Sequence, residues 1–444
     1  MSSCPDVGYQ PVRRHRLKHL PRRPLAVLLA ATLLSVAGDG ITQVGVPWLV
    51  LLTTGSAGKA GIVALCTMLP AAFSSLVGGT LVDRAGARSV SVISDAACCA
   101  AVGTIPVLQV TGVLRFWELC ALMAATGLLN APGNTARAVI LPSLARDSRM
   151  SLSRAAGIYA GAARAASIIG AAAGGLLIAA LGPAHALFID AATFAASAGL
   201  VVAGIRRSDL GGPEQVSRPQ PAPPGSGYRR DVRDGIRLVM ATPLLLGITL
   251  LTLVAQGLDQ GWSTVILPVD VRDKLHSVLV LGAAESAFAA GALVGAILYS
   301  TMAERLPRWP VFTLGFIIVG LPRFAVAALT GSPAPLIAVM AIEGLACGPL
   351  NPITISITYQ LTPEHMRGRA IGTMTATALV ATPFGALAAG LLIDSLGLPA
   401  TTAIFGGIYF LVTLVPAVFP LYRQMSEPAG QPGIAGPLAG RWPP

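Results

Sequence analysis

Apolar residues run through this chain in long unbroken stretches, separated by short polar turns. They do not alternate with polar residues at every second position, as a barrel strand requires, so they read as helices. About 20 apolar residues in a helix, at about 1.5 Å each, cross a hydrocarbon layer of about 30 Å. The pattern predicts twelve spans, at 25–52, 59–82, 89–110, 116–136, 155–181, 184–205, 244–268, 279–302, 310–330, 334–358, 370–395 and 399–423. A helix satisfies its own backbone N–H and C=O groups, which hydrocarbon demands. The expected fold is therefore all-α and integral to a membrane.

The breaks in this pattern organise the chain. A basic tail covers 1–24, and a polar stretch at 206–242 separates a six-helix bundle at 25–205 from another at 243–423. The polar stretch opens on Arg206 and Arg207, passes Pro219, Pro221, Pro223 and Pro224, and closes near Arg229, Arg230 and Arg233. It reads as a flexible linker followed by a basic amphipathic helix on the membrane surface. The tail at 424–444, rich in Gly and Pro, is expected to be disordered.

The two bundles repeat each other. Residues 170–182 (GAAAGGLLIAALG) match 385–397 (GALAAGLLIDSLG) at an offset of 215. Asp83-Arg84 matches Glu304-Arg305 at 221, and Asp39 matches Asp259 at 220. Pseudo-symmetric halves suit a protein whose central site opens to either side in turn.

Composition supports the membrane reading: of 444 residues, 54% are hydrophobic and 11% charged. The net charge of +11 could suggest nucleic acid, but its placement argues otherwise. With a cytoplasmic N-terminus, 25 of the 31 Lys and Arg residues fall on the inner side and four on the outer. Arg164 and Arg323 lie inside spans. This bias predicts both termini in the cytoplasm and excludes nucleic acid as a partner. The six cysteines and five histidines show no metal-ligand spacing. No phosphate-cradling loop is present either. No metal, cofactor or enzymatic activity is implied, and energy is expected from an ion gradient.

Residues 79–88 (GTLVDRAGAR) carry the strongest local signal. They resemble the major facilitator loop motif through Gly79, Asp83, Arg84, Gly86 and Arg88, with Ala87 in place of one basic residue. By that resemblance Asp83 would cap the start of the eleventh span. Asp95 is the expected partner of Arg84 or Arg88, and Glu304 and Arg305 are the second-half equivalents. Ordinary topology charges are the alternative.

Further segments look like the macrolide-efflux and enterobactin-exporter branch of drug:proton antiporters. They are Gly38-Asp39-Gly40 with Val46-Pro47-Trp48-Leu49, residues 132–142 (PGNTARAVILP), residues 189–194 (IDAATF) and Arg367-Gly368-Arg369. Gly157, Gly170, Gly174 and Gly175 fit the antiporter motif of the fifth span, where Ala171 replaces its proline. Gly385 and Gly390 repeat it in the eleventh. Such small residues permit close helix packing. Met123 stands where other drug antiporters carry an arginine tied to proton transfer.

Ionisable groups inside spans are costly and usually face a central cavity. Asp39 is expected to carry proton coupling, with Asp259 and Glu343 next and Arg164 and Arg323 beside them. A structural salt bridge, such as Glu343 with Arg323, is the alternative. Asp190, Glu285 and Asp394, near the outer helix ends, read as solvated or capping groups. Trp262, three residues after Asp259, is the aromatic expected in the cavity. Trp48 reads as an interface anchor.

The resemblance implies a monomeric plasma-membrane transporter that exports a drug, a macrolide-like antibiotic or a siderophore-type metabolite in exchange for protons. An uncoupled facilitator or importer is the nearest rival. A transport-inactive sensor or assembly partner is the rival from another class.

Overall fold

A computed structural model describes residues 23–148, 150–206, 228–303, 305–363 and 366–426. The basic residues before Arg23, the proline-rich linker, Glu304 and the C-terminal tail lie outside the described residues. Among those described, twelve long helices form two bundles. The first holds α1 (Arg23–Thr54), α2 (Ala57–Ala85), α3 (Ala87–Val110), α4 (Phe116–Asp147), α5 (Leu152–Leu181) and α6 (Pro183–Gly204). A short helix α7 (Tyr228–Ala241) leads into the second. That bundle holds α8 (Pro243–Leu275), α9 (Val278–Met302), α10 (Arg308–Leu329), α11 (Pro333–Leu361), α12 (Arg367–Leu396) and α13 (Leu398–Val418).

Eleven of these helices are long and apolar enough to cross a membrane. The remaining one, α4, carries Asn130, Asn134 and Arg137 on its inner length. The helices bury small and aliphatic residues inward and leave Phe73, Leu176 and Leu411 exposed outward. So much apolar surface would be costly in water and suits lipid.

Four expectations change in detail. Helix α4 runs on to Asp147, well past the expected end at 136. Helix α8 continues to Leu275 through two wide turns at Trp262–Ile266 and Val271–Leu275. Helix α11 is interrupted between Cys347 and Leu350, where Pro349 and Pro352 each remove a backbone donor. Helix α7 is amphipathic as read, but its apolar Leu238 packs on Met366 and Ala370 at the start of α12. Protein covers that face instead of lipid.

The internal repeat holds in three dimensions. A Cβ on Gly170 would lie 2.3 Å from the Ala37 carbonyl of α1, and one on Gly385 would lie 1.8 Å from the Gly257 carbonyl of α8. A Cβ on Gly282 of α9 would meet the Ala171 carbonyl at 2.7 Å, and one on Gly61 of α2 would meet that of Ala386 at 2.7 Å. The same small-residue contacts thus build α1–α5 and α8–α12 within the halves, and α5–α9 and α2–α12 between them.

The contacts joining the halves lie in the middle and at one end, away from the ends that lead to the termini and linker. At that far end Arg272 donates to the Leu51 carbonyl (3.3 Å), and Gly390 packs on Ala57. At the tail end the same two faces are open: a Cβ on Gly79 of α2, or on Gly157 or Gly161 of α5, would meet nothing within 4 Å. The halves are closed at the far end and parted at the tail end.

Candidate functional site

Where the halves part, α1, α2, α4 and α8 enclose a cavity of about 460 Å³. Its wall is mostly apolar and includes Met68, Met123 and Val46, with Asn130, Gln260 and Thr264 as polar points. Among the described residues, Asp39 is the one ionisable side chain lining it.

The glycines around Asp39 explain its placement. A Cβ on Gly38 would strike the Asp190 carboxylate and the Thr193 hydroxyl at 2.2 Å, and one on Gly40 would strike the Gly170 backbone at 2.8 Å. Two neighbouring helices therefore press on α1 at these positions, and the side chain between them turns to the cavity.

Behind Asp39 runs a directed chain of hydrogen bonds. Asn130 Nδ2 donates to Asp39 Oδ1 (2.6 Å), and Asn134 Nδ2 donates to Asn130 Oδ1 (2.9 Å). Arg137 Nη2 donates to Asn134 Oδ1 (2.9 Å) and to Ser35 Oγ (3.0 Å). Arg137 Nη1 meets both carboxylate oxygens of Asp95 at 2.9 and 3.0 Å, and Ser197 Oγ also donates to Asp95 (2.6 Å). Arg137 and Asp95 are both buried. This corrects two expectations: Asp95 pairs with Arg137 rather than with Arg84 or Arg88, and Arg137 is an interior ion-pair member rather than an inner-face topology charge. The sequence reading missed Asn130, Asn134 and Arg137. Their spacing of four and three places them on one helix face, which was the available signal.

A second charged cluster lies in the other half. Arg323 Nη2 pairs with Asp259 (2.5 Å), and the Arg323 backbone N–H donates to Glu343 Oε1 (3.1 Å). The guanidinium lies 5.0–5.4 Å from the rings of Trp262, Phe324 and Tyr409. Asp259, the repeat-mate of Asp39, is thus held by an arginine where Asp39 is held by an amide. Trp262 is 1% exposed; it backs this cluster and does not line the cavity. The pairing of Glu343 with Arg323 is through the backbone, not the guanidinium. Arg164 is exposed on α5 and bonds neither cluster, though its charge reaches Cys347 beside the second one.

The remaining expected residues fall as follows. Asp83 and Arg84 are exposed, and a Cβ on Gly79 would meet nothing within 4 Å. Arg88 donates to the Ile205 (2.6 Å) and Val202 (3.0 Å) carbonyls at the end of α6. Gly86 closes α2 at a φ of 83°, a conformation that favours glycine. Gly157 touches nothing, Gly174 packs on Ile41 of α1, and Gly175 packs on Gly282 of α9. Arg305 is exposed. Asp190 is not solvated: it is buried and accepts from Thr42 and Thr193. Glu285 Oε1 is buried without a partner among the described residues. Trp48 is buried in the core and does not anchor an interface.

Two pseudo-symmetric helical halves around one cavity, closed at one end and parted at the other, define a multi-pass membrane transporter. The profile of the Major Facilitator Superfamily matches residues 28–261 and 249–442. The chain belongs to that superfamily. The multidrug efflux pump Tap of Mycobacterium tuberculosis is 36% identical over 416 residues, covering 92% of this chain and 96% of that one. Tap of Mycolicibacterium fortuitum is 33% identical over 408 residues, covering 91% and 97%. The crystal structure of the nucleoside transporter NupG superposes with a TM-score of 0.70 at 14% identity, covering 90% and 99%; it shares the fold.

Proposed function

We propose that this chain exports small hydrophobic or amphipathic drugs across the plasma membrane, driven by protons entering in exchange. The likeness to Tap over nearly the whole length of both chains supports drug export. One observation carries the coupling role: Asp39, the one carboxylate among the described residues lining a mostly apolar cavity, tied to Asn130. A mostly apolar wall with a few neutral polar groups and one acidic point accepts a cationic amphipathic compound. The same carboxyl can load a proton at one face and release it at the other as access alternates. Drug and proton then compete for one group, which is the logic of exchange.

Among the described residues, most basic side chains, including Arg84, Arg88, Arg146 and Arg154, gather at the tail end, which supports a cytoplasmic location for both termini. With that orientation the structure is open to the cytoplasm and shut to the outside. Our reading divides the chain into halves at 25–205 and 243–423, acting as a monomer. Expression in an efflux-deficient host tests the proposal, with a compound panel and an uncoupler. Export of several unrelated compounds, abolished by the uncoupler, is expected. Export that persists without a gradient would contradict coupling.

A further inference from the structure

The far-end closure contains a bond set that the drug cavity does not use. Helix α2 starts at Ala57, and its first backbone N–H groups have no partner within the helix. Asp394, near the end of α12 in the other half, fills that gap. Its carboxylate accepts from the Ala57 N–H (2.9 Å), the Gly58 N–H (3.0 Å) and the Ser56 hydroxyl (2.6 Å). Ser56 Oγ in turn accepts from the Lys59 N–H (3.1 Å). A Cβ on Gly58 would come within 2.6 Å of the Asp394 carboxylate, so glycine there admits the close approach. An acid at a helix N-terminus also gains from the helix dipole. The cap thus ties one half to the other.

The sequence around this cap repeats that of the loop after α2. Residues 390–397 read GLLIDSLG and residues 79–86 read GTLVDRAG, both glycine, three residues, Asp, two residues, glycine. Both end in a glycine at φ 83° whose N–H bonds the carbonyl four residues back. Since α2 and α12 pack across the halves, one Asp stands at the last turn of each, at opposite ends of the same pair. Both carboxylates are exposed to solvent, but Asp394 is bonded to the opposite half and Asp83 has no such bond among the described residues, matching a far end that is shut and a tail end that is parted. The repeat-mate of Asp394 is Ala179, so the α5–α9 seam carries no such acid.

We infer that Asp394 is the latch of the far-end gate, a positioning residue that holds α12 on the start of α2 and must release before the far end opens. This rests on rocking of the two halves and not on the proton role of Asp39. Spin labels at Val113 and Leu329, both exposed at the far end and in different halves, test it. They are attached through a ketone-bearing unnatural residue, so that the native cysteines stay. Pulsed dipolar distances are recorded in nanodiscs without substrate or gradient. Asp394→Ala should raise the ratio of long to short distances about tenfold, the scale of losing a helix cap. Ser56→Ala, which removes one of the three bonds, should shift it less and in the same direction. Asp394→Asn keeps one acceptor; it carries the test, with the same sign expected, should Asp394→Ala not purify as a single species. A purified Asp394 variant with the wild-type distance distribution would overturn the latch.

Discussion

Asn130 Nδ2 sits 2.6 Å from Asp39 Oδ1, and the other end of the same amide accepts from Asn134. The carboxylate at the cavity wall is therefore held by a neighbouring wall residue that is itself oriented. Replacing Asn130 with Leu removes a bond to a charged group, worth about 1.5–3 kcal/mol. Efflux of a fluorescent cationic dye should fall about tenfold or more, while the protein still folds. Unchanged efflux would remove Asn130 from the site.

Arg137 and Asp95 make an interior ion pair that depends on both members. Arg137→Gln leaves the Asp95 carboxylate buried without its cation, a loss of about 3–5 kcal/mol for a pair of this kind. Thermal unfolding in detergent should show a large drop. Combining it with Asp95→Asn should recover part of that drop, since no charge is then stranded. A double variant no more stable than the sum of its parts would show that the two do not act as a pair.

The second cluster is uneven, and its variants should be too. The Arg323 side chain is 4% exposed and lies among three aromatic rings, whereas Asp259 is 30% exposed. Asp259→Asn leaves a cation that Glu343 and the ring faces still attract. Arg323→Met leaves Glu343 buried with no cation nearby. The arginine variant should therefore melt well below the carboxylate variant, and the reverse order would contradict the packing described.

Glycines of one sequence motif should respond differently. Gly385 abuts the Gly257 carbonyl, while Gly157 faces open space. Gly385→Ala forces α8 and α12 apart, at a cost of about 1–3 kcal/mol for overpacking. Gly157→Ala should leave the melting temperature of this state unchanged. An equal loss at both positions would mean that α5 is packed at its tail end.

Much of this was legible in the sequence. Twelve helices, two halves and the pseudo-symmetry of Asp39 with Asp259 follow from long apolar runs and a nearly constant offset. The placement of Asp39 was also accessible, because a lone acid between two glycines in an apolar helix has few places to point. Arg137 was misread because charge counting treats an arginine near a helix end as topology. Its burial is set by Asp95 on α3 and Ser35 on α1, distant in sequence. Trp262 shares a helix face with Asp259, yet Phe324 from α10, backed in turn by Tyr409 of α13, closes over it. Helix periodicity names the face, and only the neighbouring helices decide whether that face meets a cavity or a core. Asp394 looked like a local cap because nothing in its own span shows α2 arriving from the other half.

The coupling role of Asp39 is tested most directly with purified protein in proteoliposomes carrying an imposed proton gradient. Uptake of a cationic drug against its gradient is followed with wild type and with Asp39→Asn. The wild type should accumulate drug until the gradient is collapsed by an ionophore. Asp39→Asn should fail to accumulate it, yet still exchange labelled for unlabelled drug at equal concentrations if the neutral cavity binds. Full accumulation by Asp39→Asn would contradict the assignment.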